Sequence, residues 1–174
     1  PKAARKFGSD RVVICSLTRT AAREIASRDL PLPKENVGTL HAMAFRALGR
    51  PDIAEGHLKD WNEREPMFAL ADGRPSVDEP EARGERGSTG DKLSAQAQIL
   101  RHNRVPRSEW PHGPKQFQVA WERWMESEDM IDFTGLIERA VEDIPVAPGN
   151  PAVFIVDEAQ DSSVLELDLV RKWN

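Results

Sequence analysis

Two adjacent carboxylates, Asp157 and Glu158, end the apolar run Val153-Phe154-Ile155-Val156 and carry the clearest chemistry in the chain. Neighbouring acids of this kind divide the labour of a hydrolytic site. One holds a magnesium ion, directly or through water, while the next orients or deprotonates an attacking water. Gln160 and Asp161 follow at once. A second group pairs hydroxyls with basic side chains: Thr18-Arg19 and, further on, Thr39-Leu40-His41. Hydroxyls and N–H groups at helix starts are able to hold phosphates. The same hydroxyls also serve as plain helix caps, and an imidazole there also packs. On the residues alone both uses stay open.

These groups need elements to position them. Pro148, Gly149, Asn150 and Pro151 bound the run at 153–156, which predicts a strand buried on both faces of a parallel sheet. Its acids then stand at the carboxyl end, where ligands of open α/β sheets collect. Arg11 to Leu17 predicts a second buried strand, followed by a helix capped by Thr18 and running through Ile25. The helix after Thr39 stops at Gly49 and Pro51. Lys2 to Phe7 is expected to be helical, with Gly8 as its stop. Phe133, Leu136, Ile137, Ala140, Val141 and Ile144 follow helical spacing behind an Asp132 cap, and Pro145 ends the run. That helix packs; it does no chemistry. Ser163 to Glu166 is a capping box, which makes Glu166 structural.

Three regions separate: residues 1–50, an insertion at 51–129 without strand signals, and 130–174. Within the insertion, about 71–92 is rich in Gly, Pro and charge and is expected to be a flexible loop. Helices are expected from Leu93 to Arg104 and from Lys115 to about Ser127. The stripe Phe117, Ala120, Trp121, Trp124 and Met125 is core. Arg101, His102, Arg104 and Arg107 suit either phosphate contacts or a solvated helix face, while His57 and His112 are surface residues with no partner at metal-ligand spacing. With 39% hydrophobic residues, 174 residues suffice for a domain with its own core. A net charge of −5 argues against a whole-surface nucleic-acid binder but allows a local basic patch. The single cysteine, Cys15, excludes an internal disulfide. No apolar run is long enough to span a bilayer and no signal peptide is visible, so cytoplasm is the default.

In order, four segments resemble motifs of the UvrD/Rep-type superfamily 1 DNA helicases. Leu17-Thr18-Arg19-Thr20-Ala21-Ala22 is similar to motif Ia, Gly38-Thr39-Leu40-His41 to motif Ib, and Asp132-Phe133-Thr134-Gly135-Leu136 to the helix before motif II. Asp157-Glu158-Ala159-Gln160-Asp161 is similar to motif II itself, the Walker B segment. The likeness covers both ends of the chain, and the insertion matches in position a helical subdomain of that family. It implies an α/β fold with a parallel sheet flanked by helices: a RecA-like P-loop NTPase core, incomplete, with a helical insertion. It further implies an ATP-dependent helicase or translocase using ATP and Mg2+, acting on single-stranded DNA and single-strand/duplex junctions. Asp157 would hold the metal, Glu158 would be the general base, and Gln160 would sense the γ-phosphate. Thr18, Arg19, Thr39 and His41 would face DNA. Arg19-Thr20 stands where the family commonly has Asn-Lys, and Leu17 where many members have Phe, so the detail of DNA contact departs from the pattern.

No Gly-x-x-x-x-Gly-Lys-Ser/Thr phosphate loop occurs; Gly87-Ser88-Thr89-Gly90-Asp91-Lys92 has the wrong spacing and follows no strand. The chain is therefore expected to be an internal fragment of a larger enzyme, inactive by itself. Two alternatives share the acidic strand end: another P-loop ATPase, such as a helicase-nuclease subunit or a superfamily 2 motor, and a non-catalytic DNA-binding module derived from one.

Overall fold

The computed structural model describes residues 2–28, 30–71 and 87–174. In chain order these form α1 (Lys2–Phe7), β1 (Val12–Ser16), α2 (Arg19–Ser27), β2 (Val37–Thr39), α3 (Leu40–Ala47), β3 (Asp52–Ile53) and α4 (Leu58–Arg64). Then come α5 (Thr89–His102), α6 (His112–Ser127), β4 (Met130–Ile131), α7 (Phe133–Asp143), β5 (Val153–Asp157) and α8 (Val164–Trp173). Two compact units result: a sheet unit of residues 1–50 and 136–174, and a helical unit of residues 51–135. The second division falls within α7, whereas the composition of the chain suggests a boundary at 130.

The sheet unit is α/β, with a three-stranded parallel sheet in the order β2-β1-β5 flanked by helices. Central β1 is the buried strand its composition predicts: Val12, Val13, Cys15 and Ser16 are all inaccessible. Burial, reinforced by the Glu166 charge, pushes the Cys15 thiol up to about 12. Along α8, Leu165, Leu169 and Trp173 recur every fourth residue as a buried stripe, and the Trp173 ring meets Phe154 edge-on at 6.0 Å. On β1, Val12 and Ile14 line a small apolar groove with Ala3, Ala4, Leu30, Pro31, Leu32 and Ile155.

One expectation fails here. β5 is not buried on both faces: no residue of it is fully covered, and Ile155 is 40% exposed. It lies at the edge of the sheet, paired only with β1 among the described residues. Apolar composition alone does not distinguish an edge strand from a central one.

The helical unit packs around aromatic rings. Trp61 lies at the centre, edge-on to Phe117 at 5.8 Å and to Trp121 at 4.9 Å, with Trp124 tilted against it at 5.3 Å. The expected stripe is core, as its spacing requires: Phe117, Trp121, Trp124 and Met125 are buried and Ala120 packs against them. Each indole N–H in the unit donates to a partner: Trp61 to the Phe68 carbonyl, Trp110 to Val105, Trp121 to Asp132 and Trp124 to Asp60. Burial of a Trp without such a partner would be costly.

Two further readings need correction. The insertion does contain a strand, since β3 pairs with β4 in parallel, though at two residues each these strands are too short for any periodic signal. The expected loop at 71–92 ends earlier. Residues 72–86 lie outside the described residues, but Thr89 already begins α5, under a capping box in which the Ser88 hydroxyl accepts from the Asp91 N–H at 3.1 Å. A Cβ at Gly90 would overlap the Phe68 and Ala69 carbonyls, so this Gly-rich string is a tight helix start. His57 is exposed, as expected of a surface residue, and pairs with Asp52 at 2.9 Å. Among the described residues, no helix is long and apolar enough to cross a membrane.

Candidate active site

Parallel pairing brings three strand ends to one edge of the sheet unit. In register, Ser16 of β1 stands beside Thr39 of β2 on one side and Asp157 of β5 on the other. Register partners on parallel strands share a face, and the strands lie about 4.8 Å apart. Ser16, Thr39 and Asp157 thus form a row of oxygen-bearing side chains across the sheet end. Each strand is then left through a residue singled out by the sequence. Thr18 opens α2, Thr39 opens α3, and Glu158 turns the chain from β5 into the 3-10 turn Ala159–Asp161.

Asp157 and Glu158 are both exposed to solvent. Glu158 adopts left-handed angles, φ 56° and ψ 36°, uncommon for any residue with a long side chain. Its carbonyl accepts the Asp161 N–H at 2.9 Å, which ends the strand abruptly and leaves the two acids at its tip. Gln160 and Asp161 are exposed in the turn that follows. Beyond it the expected capping box is formed: the Ser163 hydroxyl accepts from the Glu166 N–H at 3.2 Å, and Glu166 accepts the Ser163 N–H at 2.9 Å.

The hydroxyls of the second group act as caps. Thr18 Oγ1 accepts the Ala21 N–H and Thr39 Oγ1 the Ala42 N–H, each at 3.1 Å. A capping hydroxyl still has its own proton to donate, so this role does not preclude a phosphate contact. Arg19 is the first residue of α2, and His41 is half-buried in the first turn of α3.

Sequence reasoning passed over Ser16. It is fully buried, and its hydroxyl has no hydrogen-bond partner in the structure. Leaving such a group unpaired costs about 1–3 kcal/mol. The only available signal was a lone hydroxyl at the end of an apolar strand, and its position beside Asp157 depends on the pairing partner, which spacing does not give. The Ser162 hydroxyl, just after the 3-10 turn, is likewise buried without a partner.

Whether this edge suits a metal depends on its donors. Among the described residues no three His, Cys, Asp or Glu side chains converge on a metal-holding position. Magnesium, however, keeps several waters and takes one or two carboxylates together with substrate phosphates. Asp157, exposed at the strand tip, is the kind of single open carboxylate that such a shared arrangement would use, with Glu158 left beside it.

In the helical unit the arginine cluster disperses. Arg101 is buried, with both guanidinium nitrogens on Asp132 at 2.5 and 3.0 Å, so its phosphate role is excluded by burial. Arg107 pairs with Glu122 and stacks over the Trp110 ring at 4.1 Å. His112 is exposed at the start of α6, as expected of a surface residue. Comparison with protein-family models, curated proteins and solved structures yields no match to this chain.

Proposed function

We propose that the sheet unit is part of a RecA-like first motor domain, and that the protein containing it is an ATP-dependent DNA helicase or translocase. One observation carries this reading: segments similar to motifs Ia, Ib and II meet at one sheet edge, with Ser16 in register with both Thr39 and Asp157. Asp157, at the exposed strand tip, would hold Mg2+ through coordinated water. Bound MgATP would supply the γ-phosphoryl group to be cleaved. Glu158 would take the proton of the attacking water, a role that needs a carboxylate within hydrogen-bond reach of that water. Gln160, in the adjoining turn, would report the state of the γ-phosphate. At the starts of α2 and α3, Thr18, Arg19, Thr39 and His41 would lie along single-stranded DNA, with N–H groups and hydroxyls donating to its phosphates.

Single-strand-stimulated ATP hydrolysis by the complete gene product tests this. Glu158→Gln is expected to lower kcat by about 100-fold or more while nucleotide binding persists, because it removes the base and keeps the shape. Turnover equal to wild type would overturn the assignment.

A further inference from the structure

A half-buried carboxyl outside the proposed site, one of its oxygens fully covered, has no task in that chemistry. Glu55 lies in the 3-10 turn Ala54–Gly56, directly after β3. Because Ile53 pairs with Ile131, the turn after β3 and the residue after β4, Asp132, arrive side by side. The Glu55 and Asp132 carboxyls are thereby brought close enough to feel each other's charge and that of Arg101.

The arginine is committed to Asp132 as a two-pronged pair. Asp132 also accepts the Trp121 indole N–H at 2.9 Å and the Gly135 N–H at 2.6 Å. Burial alone would push the Asp132 carboxyl up, but Arg101, Gly135 and Trp121 together hold it below its ordinary value. It is the ionised member. The surroundings of Glu55 differ. One oxygen accepts the Phe133 N–H at 3.1 Å, at the first residue of α7, while the other is buried with no hydrogen-bond partner. Burial and the neighbouring Asp132 charge push it up, to about 8, against the opposing pull of the Phe133 N–H, its own N–H and Arg101. Two histidines lie near in sequence or space: His57, paired with Asp52, and His102, whose ring is 3.3 Å from the Thr134 hydroxyl.

We propose that Glu55 is a proton-operated latch in the helical unit: neutral, it lets the turn after β3 close on the start of α7; ionised, it loosens that contact. A second charge beside Asp132 would have to share Arg101, which already forks onto Asp132, and a poorly paired buried charge costs far more than an unpaired hydroxyl. The sign follows from proton counting. Between the unfolded value near 4.5 and the folded value near 8, the folded chain holds one more proton than the unfolded chain. The stability from this group is fully present below the lower value, and it is lost as pH rises to the upper one.

Chemical unfolding of the full chain from pH 5 to 9, wild type against Glu55→Gln, reads this directly. The glutamine stays neutral, so the histidines and other shared titrations cancel in the difference. The wild-type folding constant, relative to the variant, is expected to fall about tenfold per pH unit up to about pH 8 and then level off. A flat difference overturns the latch. Carbon-13 NMR of the wild-type glutamate carboxyls provides a second test that does not depend on the variant folding. A Glu55 resonance titrating near pH 8, with the Phe133 amide shifting at the same midpoint, supports the proposal, whereas titration near 4.5 refutes it.

Discussion

Asp157 in the sheet unit and Asp132 in the helical unit are the same residue used in opposite ways. Asp157 stands exposed at a strand tip. Asp132 is buried and accepts four hydrogen bonds from Arg101, Trp121 and Gly135. A carboxylate whose lone pairs are all taken up by the fold is unsuited to hold a metal; one that faces solvent remains available. The contrast extends to the units themselves. Among the described residues, buried unpaired hydroxyls lie at the sheet end, at Ser16 and Ser162, whereas in the helical unit the four indoles all have partners and the unpaired buried atom is a Glu55 carboxyl oxygen. The exposed acid keeps its lone pairs for solvent, and the buried one gives all of them to the fold.

The sharpest way to break this comparison is to remove each acid in turn. Asp132→Ala leaves the Arg101 charge buried and is expected to destabilise the chain by about 3–5 kcal/mol in urea unfolding. Asp157→Ala, on an exposed site, should change stability by no more than about 0.5 kcal/mol. Similar losses at both positions would erase the distinction. A somewhat smaller effect is expected at Cys15, whose thiol is raised from 9.0 to about 12 by burial. Alkylation of the folded chain at pH 8 should be slower than for a free thiol by about a thousandfold, through the lost thiolate alone, and normal once the chain unfolds. Ready alkylation under native conditions would show that β1 is not a sealed central strand. Smaller still, Thr39→Ala should cost about 1 kcal/mol of thermal stability by uncapping α3. No change would mean that the hydroxyl is not a cap. Smallest of all, Ser16→Ala should leave stability unchanged or raise it by up to about 1 kcal/mol, because an unpaired buried hydroxyl is removed. A clear loss would point to a partner for Ser16 within the fold.

How far the sequence discloses these features depends on how local each one is. The strand at β1, the helix starts at Thr18 and Thr39, and the Ser163–Glu166 capping box each lie within a few residues, and all are formed. The spacing of Trp121, Trp124 and Phe117 likewise marked the aromatic core. Features that depend on a distant partner were illegible. Arg101 looked like a surface cation because Asp132 is 31 residues away, and Glu55 drew no notice because its neighbour at Phe133 is 78 residues on. The edge position of β5 and the pairing of Ser16 with Asp157 are also properties of strand order. At α5 a local signal was present but misjudged: Ser88 and Asp91 form a capping box within a string whose glycines suggested a loop.

Metal-directed cleavage offers the most direct test of the claim that Asp157 and Glu158 form the acidic side of a nucleotide site. The complete gene product would be loaded with ADP and Fe2+ in place of Mg2+, treated with ascorbate and peroxide, and its backbone cuts mapped by mass spectrometry. Cuts are expected within a few residues of Asp157 and Glu158 and along Ser16 to Thr18, and they should disappear without nucleotide. Cuts confined to residues 51–135, or none near the tip of β5, would contradict the account.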